Sequence, residues 1–264
     1  MKTKLALLLA IILLQSCKTQ QLQTKTSAPK LENQLKGELD YTTGGFELVQ
    51  WQNNGDEIIL GSIDETGEIH FVLPEYDIKS LGKTHMNANL ESQFNMLKCN
   101  GKGEFDMLGE PLFKTPYDDV YSQMYPPIYV KKYGVSVAYI SPVSDEKMLI
   151  KENRNKITGN RYYWMYIDRA LEYKDTCIQT SPENADLEIE RTADIQFKKG
   201  WNFIEAKLAE IQSYGENDEN TIPKTIQFTL SPPVATEVKW YLEQEMNYEE
   251  IQAAKTKFEL LRKQ

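Results

Sequence analysis

Between positions 56 and 74 the chain reads DEIILGSIDETGEIHFVLP, and this stretch restricts the fold more than any other. Two short apolar runs flank Asp64-Glu65-Thr66-Gly67, a turn whose glycine can take a positive φ without a steric cost. In the second run Ile69, Phe71 and Leu73 alternate with His70 and Val72. That period of two places successive side chains on opposite faces of a strand. Pro74, which has no N–H to offer a ladder, ends it. Further strand candidates follow at 128–130, 135–140, 162–168, 187–189, 195–197, 201–206 and 225–230. Lys199-Gly200, between DIQFK and WNFIEA, reads as a hairpin turn. The chain is therefore expected to be mainly β, with one or two antiparallel β-sandwich-like domains at 37–115 and 116–264.

The end of the chain has a different period. Ile251, Ala254, Phe258 and Leu261 recur at spacings of three, four and three, one stripe of an α-helix. Asn247 can cap it, and Glu250, three residues on, completes a capping-box pair. Glu249 and Glu250 sit near the positive end of the helix dipole, with basic residues from Lys255 to Lys263 towards the negative end. The stripe is expected to pack on the sandwich; a docking helix for a partner is the alternative.

The spaced pattern G-x-I-D-x-x-G-x-I-x-F-x-L-P, from Gly61 to Pro74, resembles strand pairs in small transthyretin-like or carboxypeptidase-regulatory-like sandwiches of exported bacterial proteins. That resemblance implies a fold and no particular chemistry. RYYWMYIDR together with FKKGWNFIE is similar to stretches of uncharacterised bacterial envelope lipoproteins, and implies no activity either.

The front of the chain reads as an address. Lys2 and Lys4 precede ten unbroken apolar residues at 5–14. At about 1.5 Å per residue such a helix reaches roughly 15 Å, half of a hydrocarbon core of about 30 Å. It is too short to span. The abrupt polar switch behind it is that of a cleaved export signal. Leu14-Gln15-Ser16-Cys17 resembles the lipobox of bacterial lipoproteins, although Gln15 departs from the small or apolar residue usual at its position. The resemblance implies that residues 1–16 are removed and that Cys17 carries a diacylglyceryl thioether and an N-acyl chain. Several chains, at about 0.8 kcal/mol per buried CH₂, make a stable membrane anchor. Lys18 is not the aspartate that holds a lipoprotein in the inner membrane, so the resemblance points to the outer membrane. Acidic residues that mark surface export are missing from KTQQLQ, which points to the periplasmic face. Residues 17–36, rich in Lys, Gln and Thr, read as a polar tether behind the anchor.

Charge narrows the partners. Thirty basic residues against 39 acidic ones give a net charge of −9, and losing Lys2 and Lys4 with the signal makes the balance more acidic. Without a basic cluster the chain is not expected to bind nucleic acid, whose phosphates need concentrated Lys and Arg, or anionic headgroups. Solubility accounts for the charge. With Cys17 taken by lipid, Cys99 and Cys177 remain. In an oxidising compartment they are a disulfide candidate; two separate buried thiols are the alternative.

Catalytic signatures fail on context. Ser80-Leu81-Gly82-Lys83 fits SxxK, but its companion motifs are missing and Gly82-Lys83-Thr84 is out of order. Gly134-Val135-Ser136-Val137-Ala138 nearly fits a nucleophile elbow, yet the sequence continues as strand where an elbow turns into helix. Adjacent acids such as Asp118-Asp119 are expected by chance among 39. His70 and His85 are the two histidines, with no HExxH or paired CxxC beside them. DETGE lacks the spaced oxygen ligands of a calcium loop. A solvated turn and an exposed strand histidine are expected there, and no metal, cofactor or catalytic residue is assigned.

Aromatic rings are more suggestive. Tyr117, Tyr121, Tyr125, Tyr129 and Tyr133 recur every four residues, but Pro126 and Pro127 forbid a continuous helix. Tyr162, Trp164 and Tyr166 share one face of a strand, opposite Tyr163, Met165 and Ile167. Both faces are apolar, so a strand buried on both sides is expected; an exposed platform for sugar or peptide is the alternative. The function that fits is a non-catalytic binding or interaction module of the cell envelope, tethered to the membrane and meeting an envelope protein or glycan. A structural spacer differs from it only in having no ligand. A glycan or envelope-polymer hydrolase using a carboxylate pair, which leaves no short motif, is the rival reading.

Overall fold

The computed structural model describes residues 28–36, 43–51, 56–75, 90–96, 99, 115–117, 120–125, 128–153, 155–216 and 219–263. Among them are strands β1 (Leu31–Lys36), β2 (Phe46–Trp51), β3 (Glu57–Ile63), β4 (Ile69–Phe71), β5 (Ser122–Tyr125), β6 (Ile128–Lys132) and β7 (Val135–Val143). They continue with β8 (Gly159–Ile167), β9 (Leu171–Thr180), β10 (Glu188–Phe197), β11 (Gly200–Tyr214), β12 (Asn220–Leu230) and β13 (Lys239–Gln244). Two α-helices, α1 (Leu90–Gln93) and α2 (Tyr248–Leu261), and two 3₁₀ turns, Glu146–Leu149 and Lys151–Asn153, accompany them. The fold is mainly β, as the alternating runs predict. None of the described helices is long and apolar enough to cross a membrane.

The strands form one sheet in the order β4-β3-β2-β6-β7-β8-β11-β12-β10-β9, with β13 on β7, β1 on β13 and β5 on β8. The 56–74 hairpin folds as its sequence dictates: β3 and β4 pair antiparallel with Ile63 opposite Ile69, and Gly67 takes a φ of 81° in the turn. Three expectations are corrected. First, the sheet is mixed, because β1 runs parallel to β13 and β10 parallel to β12. Second, no hairpin forms at Lys199-Gly200. The chain does turn there, with Gly200 at a φ of 93°, but β12 lies between β10 and β11 and pairs with both. Third, residues 31–36 are strand and not tether. Backbone groups pair regardless of side-chain polarity: the Leu31 N–H donates to the Gly67 carbonyl at 2.9 Å, and the Ile69 N–H to that of Pro29 at 2.7 Å. The sheet also crosses the expected boundary at 115, since β2 pairs with β6 through Glu47–Lys131, Leu48–Val130 and Val49–Tyr129.

Two apolar cores lie on opposite faces of β8 and β11. Tyr162, Trp164, Tyr166, Trp201 and Phe203 point into the first, with Leu48, Leu60, Ile140 and Trp240. Met165, Ile167, Ile204 and Ala206 point into the second, with Phe94, Tyr173, Ile195 and Phe228. Burying each large side chain contributes about 1.5–3 kcal/mol, so a central strand apolar on both faces is what this arrangement needs.

Helix α2 begins as predicted. The Glu250 N–H donates to Asn247 Oδ1 at 3.0 Å, and the Asn247 N–H returns a bond to Glu250 Oε2 at 2.8 Å. Its apolar stripe is covered only at the start: Ile251 is buried in the first core, Phe258 is 36% exposed and Leu261 60%.

Candidate functional site

Cys17, the lipidation candidate, lies outside the described residues. Cys99 and Cys177 are bonded to each other with Cα atoms 5.4 Å apart, within the reach of a disulfide. Both are buried in the second core, joining the segment after α1 to β9. Gln179 Nε2 lies over the bridge, donating to the Asn95 carbonyl at 2.6 Å and sitting 3.1 Å from Cys177 Sγ.

The aromatic row is core and not a platform. Tyr162, Trp164 and Tyr166 are only 2%, 8% and 2% exposed. Tyr162 stacks on Phe203 at 5.6 Å, and Phe203 on Trp240 at the same separation. Neighbouring strands and β13 cover the face that an exposed platform would have needed.

A cleft of about 520 Å³ opens instead where the start of β2, the end of β3, the β6–β7 turn and α2 meet. Phe46, Glu47, Lys131, Lys132, Tyr133 and Phe258 supply its character. The turn is tight: Tyr133 has a φ of 54° and Gly134 of 78°, the double positive φ of a two-residue hairpin loop matched to strand twist. Glycine takes that conformation freely, whereas a tyrosine there is uncommon and held by its surroundings. Its ring lies 6.1 Å from that of Phe258. Lys132 is only 7% exposed; its ammonium donates to Thr43 Oγ1 and sits 3.8 Å from the Phe46 ring centroid. A cation over a ring face is attracted by the ring quadrupole. Lys131 pairs with Glu57 at 2.7 Å. Rings, ammonium groups and a carboxylate thus line one opening, a combination suited to holding a polar ligand with an apolar face.

Sequence reading passed over Lys132, yet its signal is visible. Ile128, Val130 and Lys132 share the inward side of β6, so the period of two places a lysine at a core position. The turn between β3 and β4, expected to be a solvated turn, is organised by its aspartate. Asp64 Oδ1 accepts from the Thr66 N–H at 2.8 Å, the Thr66 hydroxyl at 2.7 Å and the Glu68 N–H at 2.9 Å. His70 is exposed on its strand, as expected, and its Nε2 lies 2.9 Å from Asp64 Oδ2. The bonds from His70 and then Thr66 hold the Asp64 carboxyl well below the usual carboxylate range. Asp64, Glu68 and His70 bring their ligand atoms within 4.8 Å of one another. Elsewhere, burial and then the nearby Glu237 carboxylate raise the Glu205 carboxyl above its ordinary value.

Compared with known proteins, the chain matches no family model, no curated protein and no solved structure.

Proposed function

We propose that this chain is a lipid-anchored binding module of the cell envelope, held by Cys17 at the periplasmic face of the outer membrane. The anchor rests on the sequence of residues 1–17. The binding role is carried by one observation: the cleft at the β6–β7 turn, where Tyr133 is kept in a left-handed conformation beside a buried lysine and the Phe258 ring. Strain of this kind persists where surrounding structure enforces it, and it clusters at ligand sites. An envelope glycan, with apolar sugar faces and polar edges, or an envelope protein presenting an aromatic or acidic side chain suits that lining.

Tyr133→Asn tests the cleft, because asparagine tolerates the left-handed region and the turn survives loss of the ring. Retention of the variant on isolated envelope glycan and its cross-linking to envelope proteins should both be compared with the unsubstituted chain. Loss of one of these is expected. Unchanged behaviour in both removes the cleft from the account.

A hydrolase is a second reading, and the raised Glu205 carboxyl is the observation in its favour, since a general acid must keep its proton near the working pH. Turnover of a glycan substrate that Glu205→Gln abolishes would establish it over the non-catalytic reading.

A further inference from the structure

We infer that Asp64, Glu68 and His70 form a surface site for a divalent transition ion of the zinc type. The hairpin itself builds the site. With Ile63 opposite Ile69 and both buried, the opposite face of the two strands is turned outward. Asp64 and Glu68 flank the turn, and His70 follows two residues along the same face of β4. The linear spacing D-x₃-E-x-H therefore becomes a three-sided cluster once the chain reverses. Its ligand atoms lie within 4.8 Å of one another, so an ion can engage all three with side-chain adjustment alone.

Asp64 is oriented before any ion arrives. Its Oδ1 is committed to Thr66 and the Glu68 N–H, which directs Oδ2 at the imidazole. Outer-shell bonds of this sort fix ligand direction in metal sites. Oδ2 and Nε2 stand 2.9 Å apart in a hydrogen bond, and a small opening brings them to the roughly 3.4 Å that separates two ligands about 2.1 Å from a tetrahedral zinc. The backbone behind the cluster is firm. Leu31 and Pro29 bond to Gly67 and Ile69, and a Cβ on Gly61 would collide with the His70 carbonyl oxygen.

Ligand chemistry selects the ion. Ca²⁺ and Mg²⁺ take oxygen ligands, while imidazole nitrogen suits zinc, copper, iron and nickel. Two carboxylates balance the double charge when the imidazole is neutral, with Nδ1 carrying the ring proton. Three protein ligands leave a position open for water. This inference stands independently of the cleft.

Calorimetric titration of the full chain with ZnCl₂ tests it. One ion per chain is expected, with CaCl₂ failing to compete. His70→Ala should abolish the uptake, His85→Ala should leave it unchanged, and Thr66→Val should weaken it by about tenfold through loss of the outer-shell bond. Thr66→Ser should restore it. Circular dichroism of His70→Ala separates loss of the ligand from loss of the fold, and His70 is exposed enough for the variant to fold. No zinc uptake, uptake by His70→Ala at the original affinity, or calcium binding as tightly as zinc would each overturn the assignment.

Discussion

Trp164 stands among Phe71, Trp201 and Phe203, with ring centroids 5.1, 6.5 and 4.9 Å away. Truncating a ring in such surroundings removes its transfer free energy and leaves a cavity. Trp164→Ala should therefore cost about 3–5 kcal/mol, read as a lower urea midpoint. A loss under about 1 kcal/mol would place the ring at the surface after all. Tyrosine hydroxyls in the same interior titrate late. Burial raises Tyr121, Tyr162, Tyr173 and Tyr241, and Tyr139 is pushed up to about 12 by burial and then by the neighbouring Glu243. An unfolded tyrosine ionises near 10. Between roughly 10 and 12 the folded chain holds protons that the unfolded chain has released, so stability is intact below pH 10 and falls as pH rises above it. The late part of the tyrosinate absorbance, above about pH 11, should rise together with loss of circular dichroism; ionisation of every tyrosine near pH 10 with the fold intact would contradict this. The burial of Trp164 was legible because both faces of RYYWMYI are apolar. The Asp64–His70 contact was not, since it depends on side-chain rotamers that the hairpin's period of two leaves open.

At the scale of elements, local structure was readable and distant pairing was not. The capping box of α2 spans four residues, and the β3–β4 hairpin closes through a turn of a few residues, so composition and spacing carry both. By contrast, Glu32 of β1 and Lys239 of β13 meet at 3.4 Å although 207 residues separate them. A parallel pairing over that distance imprints no period on either strand. The same holds where β12 inserts between β10 and β11: a short turn at Gly200 is compatible with a hairpin or with a crossover. The stripe of α2 was legible as a helix face, but how far the sheet extends beneath it was not, and only Ile251 is covered. The cystine ties two segments that are distant in the chain, its cysteines 78 positions apart. In the chain-entropy account, closing such a loop is worth about 4 kcal/mol. Cys99→Ser combined with Cys177→Ser should lower the unfolding free energy by a sizeable part of that amount, and reductant should shift the unsubstituted chain alone. Equal midpoints with and without reductant would contradict a stabilising bridge.

For the whole molecule, one mixed sheet with a core on each face of its central strands gives a firm body, and the cleft at the β6–β7 turn lies at one edge of the first core. The net charge of −9 fits the envelope role proposed, since like charges keep such bodies apart in solution. In the function proposed the body acts where its anchor holds it, so the address is central to that proposal. Its evidence is the sequence of residues 1–17, which speaks through charge, apolar length and one cysteine and needs no folded context. Intact mass of the chain from the membrane fraction of a lipoprotein-processing bacterium is the direct measurement. A chain beginning at Cys17 and carrying acyl mass is expected, with Cys17→Ser released from the membrane or left uncleaved. A Cys17→Ser chain that is still cleaved and fully membrane-bound would contradict the account.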